Sequence, residues 1–261
     1  VDGERLQELR KKLWSDMSWQ RTDRVLMLGG RSLLWSLDPL GAVAEGGLTI
    51  LCSSSKEQLR LEAQLQLLDP LHQPAVLADV DELERMNPNH RFEVVGGRLN
   101  QEDLNNSDLE GFWLKVSSRS SSGAELRLLL SESQLGPAGG VLELLMSDGQ
   151  DRHPIPLLQQ LAEQESIWLS QNQQRRTFLA YLERCGWVTR ESSWQESLKL
   201  SVETSLIERW LGDDRPYRRA LEATVADSQT TVSDLRQELL RQRGRRLPQS
   251  LRHWRIEGRL A

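Results

Sequence analysis

The stretch RVLMLGGRS, residues 24–32, decides how this chain is read. The apolar residues Val25 to Leu28 run without alternation into the pair Gly29-Gly30. A strand wet on one face alternates polar and apolar side chains. An unbroken apolar run of this length predicts a strand buried on both faces, as in a parallel sheet. The glycines let the backbone turn sharply and approach a ligand, although a tight turn alone explains them equally well. A helix is expected from Ser32 to Ala44, shortened or kinked by Pro39, with its first amides directed at any anion in that turn.

The same pattern extends outward on both sides. Residues 4–19 read as a helix with Leu6, Leu9 and Leu13 on one face. Gly46-Gly47 leads into LTILC, residues 48–52, a second buried strand. Ser54 with Glu57, or Ser55 with Gln58, forms a capping box for a helix carrying Leu61, Leu65 and Leu68. Asp69-Pro70 ends it. Residues 72–90 read ambiguously, with a short helix in ADVDELERM and a turn at Asn87-Pro88. FEVVGGRL, 92–99, reads as a third strand, 112–116 as a fourth, 117–123 as a flexible link, and ELRLLL, 125–130, as a fifth. Strands joined by connections of this length run parallel through right-handed crossovers.

Beyond Pro154 and Pro156, helices are expected at 157–169 and 174–185. A hairpin is expected from 187–190 and 195–202, with the 195–202 strand antiparallel because Leu198, Leu200 and Val202 alternate with polar residues. From Thr204 onward the chain reads as helical, with stops at Gly212 and Gly244. The expected architecture is α/β: a Rossmann-like, mostly parallel sheet over 1–203, with an antiparallel last strand and a helical extension over 204–261 packed on it.

Composition narrows the function classes. A net charge of −5 opposes a wholly basic nucleic-acid binder. Cys52 and Cys185 are too far apart in sequence for a disulfide framework, and the four histidines lack metal spacing, so no metal is expected. No apolar stretch approaches membrane length and the first residues are charged, so a cytoplasmic protein is expected. The segment from Arg236 onward is locally basic. Arg241, Arg243, Arg245 and Arg246, with Trp254 nearby, form a candidate contact for nucleic-acid phosphates, without means of reading sequence. Arginine stems packed on a core are the structural alternative.

In an open parallel sheet, ligands bind at the carboxyl ends of the strands where the strand order reverses. The candidate ligand residues are therefore Gly29, Gly30, Arg31 and Ser32 after the first strand, Cys52 and Ser53 after the second, and Gly97 near the end of the third. Glu132, just past the fifth strand, is a further candidate, with a solvated strand end as its plain reading.

The segments 24–37, 47–65, 91–99 and 123–133, followed by a late hairpin, resemble a class I S-adenosylmethionine-dependent methyltransferase domain over residues 1–203. The resemblance implies that fold and an adenosyl cofactor held by the residues just named. The sequence departs from the family pattern at Met27, where its first-strand acid falls. It departs again at Arg31 and Leu33, where loop glycines fall, and at Cys52, where the ribose-binding acid falls. These departures predict weak or absent S-adenosylmethionine binding, and they assign no catalytic residue.

A second resemblance covers 23–54, 208–221 and 245–260. These stretches are similar to the C-terminal extension of cyanobacterial fusion proteins that carry an AAA ATPase of the replication-associated recombination protein A (RarA, MgsA) type. It implies an ATPase partner in the same or a larger chain, in DNA replication or recombination. The readings that follow are a degenerate binding or interaction module, an active methyltransferase of unknown substrate, and a non-specific nucleic-acid-binding domain.

Overall fold

The computed structural model describes all residues except 1–2, 31, 100, 105–107, 148–155, 171–173, 214 and 225–227. Its strands are β1 (Val25–Leu28), β2 (Leu48–Leu51), β3 (Ala75–Leu77), β4 (Phe92–Leu99), β5 (Ser120–Ser133), β6 (Trp187–Ser201) and β7 (Arg246–Leu260). They form one seven-stranded sheet in the order β3-β2-β1-β4-β5-β7-β6. β1 pairs in parallel with β2 and with β4, β2 with β3, and β4 with β5. The sheet is thus Rossmann-like and mostly parallel, as the apolar runs at 25–28 and 48–51 require.

The antiparallel strand is β7, and here the sequence reading is corrected. Residues 187–201 form a single strand rather than a hairpin, and 246–260, expected to be helical, form the last strand. Gly186 O accepts from Ala261 N at 2.9 Å and Val202 N donates to Arg245 O at 2.9 Å. Gln134 N donates to Ser250 O at 2.8 Å, and Ser131 Oγ shares a hydrogen bond with His253 Nδ1 at 2.9 Å. In both ladders partner numbers fall on β7 as they rise on its neighbour, so β7 runs antiparallel to β5 and to β6.

The helices are α1 (Gly3–Leu13), α2 (Leu37–Ala42), α3 (Ser55–Leu65), α4 (Asp81–Arg85), α5 (Gln101–Leu104), α6 (Leu109–Ser118), α7 (Pro137–Ser147), α8 (Pro156–Ser170), α9 (Gln174–Arg184), α10 (Thr204–Leu211), α11 (Pro216–Thr224) and α12 (Ser228–Arg241). The expected strand at 112–116 is part of α6. Asp108 caps it by accepting from Gly111 N at 3.1 Å, and Leu109, Trp113 and Val116 recur at helical spacing as its buried residues. The run 117–123 assigned to a link instead closes α6 and opens β5, with Ser120 buried.

Two compact units divide the chain: residues 1–131, 174–193 and 253–261, and residues 132–173 and 194–252. In the first, one sheet face buries Leu26, Leu28, Val95 and Leu128 against Trp113, Phe178 and Leu182. The second has its own core, in which Val141, Leu158, Leu161, Ile207, Leu211, Leu235 and Leu239 come from four helices. Among the described residues no helix is long and apolar enough to cross a membrane.

Candidate functional site

β1 lies between β2 and β4, so the strand order reverses beside it and the turn after Leu28 is the ligand position of such a sheet. The structure brings most of the sequence-predicted residues to this edge and shows what occupies them. Gly29 N donates to Leu51 O at 3.1 Å, binding the turn to β2. A Cβ on Gly30 would lie 2.6 Å from Cys52 Sγ and 3.3 Å from Leu61 Cδ2, so the glycine makes room for the protein's own thiol. Arg31 lies outside the described residues. Ser32 caps a 3-10 turn, Leu33–Ser36, which precedes the short α2 in place of the longer helix expected over 32–44.

The amides that open this turn are already engaged. Leu33 N donates to Gln64 Oε1 at 3.3 Å, Leu34 N to Ser32 Oγ at 3.3 Å, and Trp35 N to Ser32 O at 3.4 Å. An anion arriving here would have to displace these bonds, whereas the opening of a helix ordinarily offers unpaired donors.

The end of β2 is closed in the same way. Cys52 is buried, and its thiol is pushed up to about 12 by burial first and by the Glu57 carboxylate second. It stays a neutral thiol, a weak acceptor where a ribose calls for a carboxylate. Ser53 N donates to Glu57 Oε2 at 2.5 Å, and Glu57 N donates back to Ser54 Oγ at 3.3 Å. Of the two capping boxes open to the sequence, the structure forms the Ser54–Glu57 one, and it engages the buried Glu57. After β3, Asp79 Oδ1 accepts from Asp81 N and Glu82 N at 2.9 and 3.2 Å.

At the end of β4, Gly97 has φ +153°, and a Cβ there would stand 2.2 Å from Leu28 O. The pairing of β4 with β1 therefore demands glycine with no ligand involved. Gly96 lies under the Trp14 ring, which a Cβ would meet at 2.4 Å. The Trp14 indole N–H donates to Trp35 O at 3.4 Å, and the Arg98 guanidinium lies 5.2 Å from the Trp35 ring centre.

The four tail arginines do not share a helix face. Arg241 ends α12 and pairs with Glu238 at 2.8 Å, Arg243 and Arg245 flank Gly244 in the following turn, and Arg246 begins β7. Arg245 Nη1 donates to Gln242 Oε1 at 2.7 Å. Among the described residues no group of histidine, cysteine, aspartate and glutamate side chains is arranged to hold a metal ion.

Sequence reasoning missed a polar centre in the second unit. Glu165 on α8 is buried at 3% exposure, and its carboxylate accepts from Ala138 N at 2.7 Å and Gly139 N at 2.8 Å, at the start of α7. The Tyr217 hydroxyl also donates to it. Burial pushes the Glu165 carboxyl above its ordinary range, opposed by these three hydrogen bonds. The available signal was positional: Glu165 falls between Leu161 and Trp168 on the apolar stripe of its helix.

No protein-family model matches the chain, and no curated protein matches it. Solved structures do resemble it. YcgJ of Bacillus subtilis superposes with a TM-score of 0.54 at 12% identity, covering 99% of each chain. Precorrin-6y C5,15-methyltransferase of Geobacter metallireducens gives a TM-score of 0.50 at 10% identity, covering 98% of this chain and 88% of that one. The [4+2]-cyclase SpnF gives 0.50 at 12% identity, covering 97% and 80%. With the strand order, these likenesses establish the methyltransferase-type Rossmann fold, and the cyclase among them illustrates that the fold alone does not name a reaction.

Proposed function

We propose that this chain is a methyltransferase-fold binding module whose cofactor edge has been closed by its own side chains. The observation that carries the reading is the engagement of the turn after β1: Gln64 and Ser32 hold the amides of Leu33 and Leu34, and Cys52 fills the space over Gly30. S-adenosylmethionine needs a carboxylate for its ribose and room beside the glycine turn. Here the first is a neutral buried thiol and the second is filled, so the residues present do not fit the cofactor. Losing one charge-assisted hydrogen bond weakens binding by about 1.5–3 kcal/mol, before the cost of displacing the internal bonds is added. No catalytic step is assigned to these residues. The second resemblance supports an AAA ATPase of the recombination-associated type as the partner of such a module.

Titration calorimetry with S-adenosylmethionine and S-adenosylhomocysteine tests the proposal. We expect no heat of binding at micromolar ligand. A micromolar Kd for either compound overturns it and promotes the reading as an active methyltransferase.

A further inference from the structure

Between α7 and α8 the second unit holds a cavity of about 550 Å³. That volume lies in the range of small-molecule sites, roughly 300–1,000 Å³. Its apolar wall includes Leu135, Leu142, Met146 and Leu169, and Glu143 and Glu165 contribute carboxylates; no lysine, arginine or histidine is among the described residues that line it. Met146 is 69% exposed, so the wall opens to solvent at one end.

Glu165 is the informative residue. Its carboxylate is buried, and its hydrogen-bond partners among the described residues are two backbone amides and one phenol. None of these carries a full positive charge. A carboxylate removed from water without a cation is costly, and a cation that reaches it recovers part of that cost. The cavity thus couples an apolar body to a negative end, with Glu143 adding a second negative charge. An anionic ligand meets repulsion from both carboxylates, and a neutral one gains only the apolar contact.

We infer that the α7–α8 cavity is a binding site for a small organic cation, an apolar body bearing an ammonium group. The ammonium sits toward Glu165 and the body lies along Leu135, Leu142 and Met146. This site is independent of the closed edge beside β1, and neither its success nor its failure bears on that reading.

The test uses the full chain and three probes of one chain length: octylammonium, octanol and octanoate, each titrated at neutral pH and low salt with saturation-transfer NMR and calorimetry. The expected order is octylammonium first, with at least about a tenfold margin over octanol, the scale of one charge-assisted hydrogen bond. Octanoate is expected not to bind. Leu142→Trp fills the cavity and should abolish octylammonium binding with the melting temperature retained. If that variant does not fold, the surface substitution Glu143→Gln should narrow the margin over octanol. Equal binding of octanoate, no binding of octylammonium, or binding untouched by whichever variant folds overturns the proposal.

Discussion

The edge beside β1 and the cavity beside Glu165 form an instructive contrast. The first carries the glycine signature of a ligand site, yet its amides and its space are taken by Gln64, Ser32 and Cys52. The second carries no signature, yet it has volume and a buried carboxylate whose donors among the described residues are all neutral. A motif specifies a backbone conformation, whereas binding needs unoccupied donors and room. Both of those are properties of packing.

Four substitutions probe how tightly the closed edge is built. The largest effect is expected from Trp14→Ala, which empties a buried ring from over Gly96. Large aromatic-to-alanine changes in cores cost about 3–5 kcal/mol, and urea unfolding should read a loss on that scale. A loss under about 1 kcal/mol would mean that the tryptophan does not close this face. Next comes Gly30→Ala, whose methyl meets Cys52 Sγ, with an overpacking cost of about 1–3 kcal/mol. Pairing it with Cys52→Ala should recover most of that loss. Additive effects in the double-mutant cycle would show that the two residues are not in contact. Ser54→Ala removes the cap on α3 and should cost about 1 kcal/mol in the same assay. A smaller change than that of a control alanine substitution on the exposed face of α3 would place the Glu57 cap elsewhere.

The smallest stability effect is expected at the other end of the comparison. Changing Arg241, Arg243, Arg245 and Arg246 together to glutamine should move stability by less than about 0.5 kcal/mol per site, since three of them are exposed and the Arg241–Glu238 pair lies at the surface on its arginine side. If the domain contacts DNA there, fluorescence anisotropy should show a salt dependence that flattens by roughly one unit per lost phosphate contact. An unchanged slope would remove these residues from any such contact.

The thiol gives a pH test of the same closure. Free Cys52 would ionise near its ordinary 9.0, but in the fold it does so only near 12. Between those values the unfolded chain has lost a proton that the folded chain keeps. The stability contribution of Cys52 is therefore intact below about 9 and falls as pH rises toward about 12. In the native protein, alkylation of Cys52 at pH 8 should be slower than in denaturant by orders of magnitude. Rapid native labelling, read by peptide mass spectrometry, would show that the thiol is accessible.

The parts of the fold that were legible in the sequence are those where the chain's own pattern is uninterrupted. The runs at 25–28 and 48–51 and the glycine-broken strand at 92–99 lie in the sheet as read. β7 was hidden because Pro248 and the arginines at 246, 252, 255 and 259 mask its alternation. The structure resolves the masking by pairing Arg255 with Glu257 and Asp16, and Arg259 with Glu125. α6 was misread because Phe112, Trp113, Leu114 and Val116 look like a strand run, while the Asp108 cap that decides for helix lies upstream of them. At the candidate site, the departure at Cys52 was legible as a missing acid. The engagement of the turn was not, because Gln64 reaches it from α3 and Trp14 from the turn after α1, and no local pattern encodes which distant backbone a side chain will meet.

The strand order also sets a schedule for folding. β7 follows both β5 and β6 in the sequence, yet it lies between them in the sheet. As the chain emerges from the ribosome, β6 is complete while its neighbour is still unmade. Until β7 arrives, the inner edges of β5 and β6 present unpaired backbone amides and carbonyls, the kind of surface that recruits strands from other molecules. Expression of this chain should accordingly depend on how fast residues 246–260 follow β6, and a stop codon just before Arg246 should direct the product into inclusion bodies.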